Sequence, residues 1–142
     1  MKHIKDIKKK IEWEQYYDPN FNWNNPILYS CDNNLSEEFI REFKDKVDWE
    51  YISISQMLSE DFIKEFQNKV DWTYISECQQ LSEDFIKEFQ NKVDWKMISS
   101  YQKLSEGFIR EFKDKVDWLY ICRFQKLSED FKEEFKKELC GL

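Results

Sequence analysis

The groups able to do chemistry in this chain are carboxylates, cationic side chains, four thiols and one imidazole. Acids recur in pairs within "LSEE" and "LSED" stretches, at Glu37 and Glu38, Glu60 and Asp61, Glu83 and Asp84, and Glu129 and Asp130. Two neighbouring carboxylates can act as general acid and base only where a cleft shifts their pKa values. These pairs stand at helix starts, where capping and the helix dipole account for negative charge. There is no Gly-rich phosphate loop, no nucleophile elbow and no histidine besides His3, so no catalytic residues are expected. Cys31, Cys78, Cys122 and Cys140 lie far apart without a CxxC, and zinc would need ligands converging from separate segments. Reduced thiols acting as small side chains are expected instead, with no metal or cofactor.

Two cation series remain: Arg41, Lys64, Lys87 and Arg110, and Lys46, Lys69, Lys92 and Lys115. Rungs at fixed spacing could follow the phosphates of a single strand, with Trp49, Trp72, Trp95 and Trp118 stacking bases. Each rung, however, has a Glu four residues before it. That spacing predicts a solvated helix face joined by i,i+4 ion pairs, such as Glu37 with Arg41, Glu60 with Lys64, Glu65 with Lys69, Glu83 with Lys87 and Glu106 with Arg110. The tryptophans are expected to fill the core between units.

The elements that carry these groups repeat. Leu35, Leu58, Leu81, Leu104 and Leu127 are 23 residues apart, as are Trp49, Trp72, Trp95 and Trp118. A fixed period of this size marks a solenoid. "LSEDFI" (58–63) and "VDWTYI" (70–75) share one pattern: an apolar residue, a capping Ser59 or Asp71, then an apolar residue at N4. This is an N-cap with a hydrophobic staple, Leu58 to Ile63 and Val70 to Ile75. Each unit therefore reads as two helices of about ten residues with short linkers, marginal alone and dependent on stacked neighbours. Phe62, Ile63, Phe66 and Val70 form the apolar stripe of the first helix, and Trp72, Ile75, Ser76 and Gln79 that of the second.

Composition agrees. Charged residues are 36%, aromatics 18%, and only 2 Gly and 2 Pro occur. Disordered chains lack the aromatics, and hairpin-rich sheets need the turn-formers. The net charge of -7 disfavours a general nucleic-acid binder. No apolar run reaches the roughly 20 residues of a membrane span, and "MKHIKDIKKKIEWEQYY" lacks the apolar core of a signal peptide. A cytoplasmic, intracellular location and no membrane partner are expected.

The expected architecture is an all-α solenoid of stacked αα-hairpins. Diverged capping helices occupy 1–34, four 23-residue repeats occupy 35–126, and a C-terminal capping half-repeat occupies 127–142. In the first segment Ile4, Ile7 and Ile11 share one helix face, and Asn25 and Pro26 occupy a helix start. In the last, Lys132 replaces the repeated Ile and Leu139 holds the Val position, as an end facing water requires.

Function is sought where the units differ. The changing positions are Glu50, Thr73, Lys96 and Leu119, one after each Trp; Ile54, Glu77, Ser100 and Arg123, five after; Ser55, Cys78, Tyr101 and Phe124, six after; and Met57, Gln80, Lys103 and Lys126, eight after. They form a column along the second helices, the kind of surface solenoids use for binding. Drift of an exposed face would give the same variation, but Met57, Tyr101, Leu119 and Phe124 are types favoured in protein interfaces.

With the units laid out, "LSEDFIKEFQNKVDW" resembles the LSE-F-I-x-E-F-x-x-K-V-x-W repeats of a class of short-repeat proteins encoded by large DNA viruses and some bacteriophages. The resemblance runs from Leu35 to Leu142. It implies a soluble, non-catalytic binder of viral or mobile-element origin that acts in a host cell. An anti-defence role follows as an expectation: an acidic protein inhibiting a basic host nucleoprotein, such as a CRISPR complex. Binding of single-stranded nucleic acid is the alternative.

Overall fold

The computed structural model describes residues 35–45 and 47–140. The expected N-terminal capping helices, with Ile4, Ile7, Ile11, Asn25 and Pro26, lie outside the described residues, as do Cys31 and the Lys46 rung. Ten α-helices and no strands occur among the described residues: α1 (Glu37–Glu42), α2 (Trp49–Ser55), α3 (Glu60–Glu65), α4 (Trp72–Cys78), α5 (Glu83–Glu88), α6 (Trp95–Tyr101), α7 (Glu106–Glu111), α8 (Trp118–Phe124), α9 (Glu129–Glu134) and α10 (Lys136–Cys140). This is an all-α solenoid of αα-hairpin repeats. None of these helices is long and apolar enough to cross a membrane.

Both helix starts are capped as the sequence indicates. Ser59 Oγ accepts from the Phe62 N–H at 3.2 Å, and Asp71 Oδ1 accepts from Thr73 and Tyr74 at 3.0 and 3.2 Å. The helices are shorter than expected, 6 residues in α3 and 7 in α4. The α3 helix stops because Phe66 leaves helical geometry at φ -106 and ψ 26. A tight turn follows, in which the Lys69 and Val70 N–H groups donate to the Phe66 carbonyl at 2.8 and 3.1 Å. That turn carries Val70 into the core, where it is buried.

Even-numbered helices α2, α4, α6 and α8 pack side by side in succession, and α10 closes the row against α8. One continuous apolar cluster runs through the stack, with Phe62, Ile63, Ile75, Ile86 and Ile98 fully or almost fully buried. The tryptophans join adjacent repeats: Trp72 lies 6.3 Å from Phe85 and 5.2 Å from Phe89, and Trp95 repeats this with Phe108 and Phe112 at 6.2 and 5.2 Å. The Trp72 indole N–H donates to the Gln67 carbonyl at 2.9 Å. Face and edge are thus both engaged, as buried aromatics with a polar handle require.

A polar seam lies inside the apolar one. Gln102, buried, accepts from the Leu81 N–H at 3.1 Å and donates to the Ser76 and Gln79 carbonyls at 2.9 and 2.7 Å. Those carbonyls end α4, where a helix leaves acceptors unpaired. Gln79 serves the end of α2 in the same way, and Gln125 the end of α6. Beside each glutamine a serine completes the seam: Ser76 Oγ donates to the Trp72 carbonyl at 2.6 Å and accepts from the Asp94 N–H at 2.9 Å. Ser76 and Gln79, placed in an apolar stripe by spacing, are therefore hydrogen-bonding ties to the neighbouring layers.

The ion pairs differ from expectation. Lys64 pairs with Glu88 at 2.5 Å, Lys87 with Glu111 at 2.8 Å, Arg41 with Glu65 at 2.8 Å and Lys69 with Asp45 at 3.3 Å, each across a repeat boundary. Of the five i,i+4 pairs expected, all among the described residues, Arg41 with Glu37 and Arg110 with Glu106 keep the contact, at 4.0 and 3.9 Å. Glu60 and Glu83 each accept the N–H of the N-cap serine one repeat later, Ser82 and Ser105, at 2.5 Å, but Glu37 and Glu106 accept the same bond from Ser59 and Ser128 at 2.6 Å. The difference is the cation: the forked guanidinium of Arg41 or Arg110 reaches its own Glu and that of the next repeat, whereas the single nitrogen of Lys64 or Lys87 goes to the next repeat.

Candidate surface on the even helices

The Trp-initiated helices α2, α4 and α6, with the residue that follows each, present three buried positions and several free ones. The residues three, four and seven after Trp72 are Ile75, Ser76 and Gln79, all buried and all used in stacking. What remains points away from the stack. Glu50, Ile54 and Met57 on the first of these helices are exposed, as are Thr73 and Gln80 on the second. Lys96, Tyr101 and Lys103 are exposed on the third, and Leu119, Arg123 and Phe124 on the fourth. Glu77 and Ser100 are half-buried. Ser100 Oγ turns back to the Lys96 carbonyl at 2.8 Å, which withdraws it from the surface.

Within this column the C-terminal half is knitted together. Lys96 Nζ stands 5.2 Å from the Tyr120 ring centroid, and Tyr120 stacks on Phe124 at 6.0 Å. The Tyr120 hydroxyl, with Asp117 and Asp94 behind it, pushes the Lys96 pKa up and keeps the amine charged. A groove of about 390 Å³ opens between the tails of α4 and α6, walled by Glu77, Cys78, Gln80, Tyr101 and Lys103. Beyond α8 a second, of about 460 Å³, is walled by Cys122, Lys126, Leu127, Lys132 and Leu139. By contrast Glu50, Ile54, Met57 and Thr73 line neither of these two grooves.

Cys78 and Lys126, found by variation between units, belong to this surface, and so does Tyr120. Tyr120 occupies a position that holds Tyr51, Tyr74 and Met97 elsewhere, so it stands outside the most variable set. Cys78 and Cys122 are free thiols, both exposed. Burial, then the charge of Glu77, pushes the Cys78 thiol up.

The cation series considered for phosphates is already committed. Besides the pairs above, Arg110 meets Glu134 at 2.8 Å, and Lys92 and Lys115 donate to Gln67 and Gln90 at 2.8 and 2.9 Å. The Glu88 carboxylate raises the Lys64 pKa, and that of Glu111 raises Lys87. The tryptophan faces are covered by phenylalanine. Among the described residues no group of three or more His, Cys, Asp or Glu could hold a metal ion.

No protein-family model, curated protein or solved structure matches the chain.

Proposed function

We propose that this chain is a non-catalytic, protein-binding solenoid whose contact face is the column on the even helices. One observation carries the reading. The exposed large apolar residues among those described are Ile54, Met57, Tyr101, Leu119 and Phe124, and all of them fall on this column. Stacking does not require them, and water disfavours such a row unless a partner covers it. Aromatic and Met side chains beside cations are the composition of protein interface cores.

The wider setting is the anti-defence role that the viral and phage resemblance implies. The odd helices support it: Glu38, Asp61, Asp84 and Asp130 are exposed, at a position that Gly107 fills in the fourth repeat, and form no ion pair among the described residues. A basic nucleoprotein would meet that acidic row, while the even column would supply the apolar contacts.

The test is quantitative affinity capture from the native host with the full chain. It is compared with a variant changed at Lys96, Tyr101, Arg123 and Phe124 to alanine, with folding checked by circular dichroism. Loss of the captured protein in the variant is the expected result. Unchanged capture by a folded variant refutes the site.

A further inference from the structure

Charge along the even column reverses sign halfway. The segments Trp49–Met57 and Trp72–Gln80 each carry one acid, Glu50 and Glu77, and no cation. The equivalent segments 95–103 and 118–126 carry Lys96 with Lys103 and Arg123 with Lys126, and no acid. Lys103, Arg123 and Lys126 are exposed and make no ion pair among the described residues, unlike Arg41, Lys64, Lys87 and Arg110 on the odd helices. In a chain of net charge -7, four cations concentrated on two adjacent helices are a local inversion of the field.

The inversion coincides with shape. Lys103 lies on the wall of the groove between α4 and α6, and Lys126 on the wall of the groove beyond α8. These two lysines are equivalent positions one repeat apart, where the N-terminal units carry Met57 and Gln80. Tyr101 and Phe124, 60% and 59% exposed, stand two positions before them. The first groove thus pairs the open Tyr101 ring with the Lys103 ammonium group, while the second sets Lys126 beside Leu127 and Leu139, with Phe124 outside its lining. That combination suits a ligand carrying carboxylates next to apolar anchors.

We infer that the α6–α8 half of the column seats an acidic peptide segment of the partner protein, its carboxylates meeting Lys103, Arg123 and Lys126 and its apolar side chains meeting Tyr101, Leu119 and Phe124. This deepens, and rests on, the reading of the column as a protein-binding face. Glu77 stands on the first groove's wall and Glu50 lies farther along the column, so like charge stops the segment from extending over α4 and α2. A nucleic-acid strand fits less well. At physiological salt charges are felt over about 8 Å, so a short peptide senses the local cations. A strand with a charge on every nucleotide would also run over the acidic remainder of the chain.

The experiment uses the full chain and short fluorescein-labelled peptides. One has Asp and Glu interspersed with Leu and Phe, a second has Ser in place of the acids, and a third has Lys. Oligothymidylate is the nucleic-acid probe. The acidic peptide is expected to bind by anisotropy and to weaken roughly tenfold or more in the Lys103→Glu, Arg123→Glu, Lys126→Glu variant. A Lys44→Glu, Lys113→Glu variant, reversing two exposed cations that line neither groove, should leave its affinity unchanged. Equal binding of the Ser peptide, or indifference to the triple change, overturns the charge assignment. If Phe124→Ala still abolishes binding in that case, the column itself stands as a contact face. Failure of the acidic peptide to bind the unaltered chain, or tighter binding of oligothymidylate, overturns the inference outright. Host capture by the four-site variant then judges the contact face separately.

Discussion

Replacing Gln102 by Leu keeps the side chain's approximate volume and removes all of its hydrogen bonds. Three backbone groups lose their partner at once: the Leu81 N–H, held at 3.1 Å, and the Ser76 and Gln79 carbonyls, at 2.9 and 2.7 Å. Gln102 is 6% exposed, so water has little access. A buried group left unpaired costs about 1–3 kcal/mol, and three at the lower half of that range give roughly 3–6 kcal/mol. Against a typical domain stability of about 5–15 kcal/mol, that is a severe loss for a change that adds apolar surface. Guanidinium unfolding followed by far-ultraviolet circular dichroism gives the size. Amide exchange gives the address: Leu81 should exchange far faster, while Leu58, bonded to Gln79 at 3.0 Å, should keep its protection. In a repeat array a weakened layer also broadens the transition, because units couple only to their neighbours. A midpoint shift worth less than about 1 kcal/mol, with Leu81 still protected, would refute the claim that glutamine ties the layers.

Ser76→Ala strips the partner from the Asp94 N–H and should cost about 1–2 kcal/mol. Cys122→Ser, at the equivalent position but exposed, should stay within about 0.5 kcal/mol of the unaltered protein; denaturant midpoints of both decide it. The Ser128 backbone N–H, then its hydroxyl, holds the Glu106 carboxyl below the usual carboxylate range. Its contribution is therefore complete above the unfolded carboxylate pKa and disappears as pH falls through the lower folded value. The gap in midpoint between unaltered protein and Glu106→Gln should close on acidification through that window, and a gap independent of pH contradicts it. Cys78, its pKa raised by burial and by Glu77, should alkylate with iodoacetamide at neutral pH more slowly than a free small thiol, because thiolate is the reactive form. Glu77→Gln should speed it, and equal rates in the two proteins would argue against the Glu77 effect.

Much of the fold was legible because its determinants are local. Ser59 and Asp71 announce their helices through positions one to four residues away, and the 23-residue spacing of leucine and tryptophan forces stacking. Helix length was misjudged because the Phe66 turn depends on Val70 finding a core supplied by other units. Partner choice was hidden for a different reason. A period of 23 gives Lys64 one glutamate at Glu60 and another at Glu88, and spacing alone cannot say which is free. The answer lies in the head group: Arg41, at the equivalent place, reaches both Glu37 and Glu65, whereas the single nitrogen of Lys64 goes to Glu88. Gln79 looked like one more residue of a stripe, since its role appears only once the end of α2 is beside it. At the candidate surface, variation located the column, whereas the grooves and the contact of Lys96 with Tyr120 required the layers in place.

Because the seam bonds run from one unit to its neighbour, a whole added copy would bring its own donors and acceptors and leave no carbonyl orphaned. A copy cut at half length would break the row at both joints. The identical stretches at 58–72 and 81–95 are two such whole copies, so the array can lengthen or shorten by one layer without unpairing a backbone group at the joint.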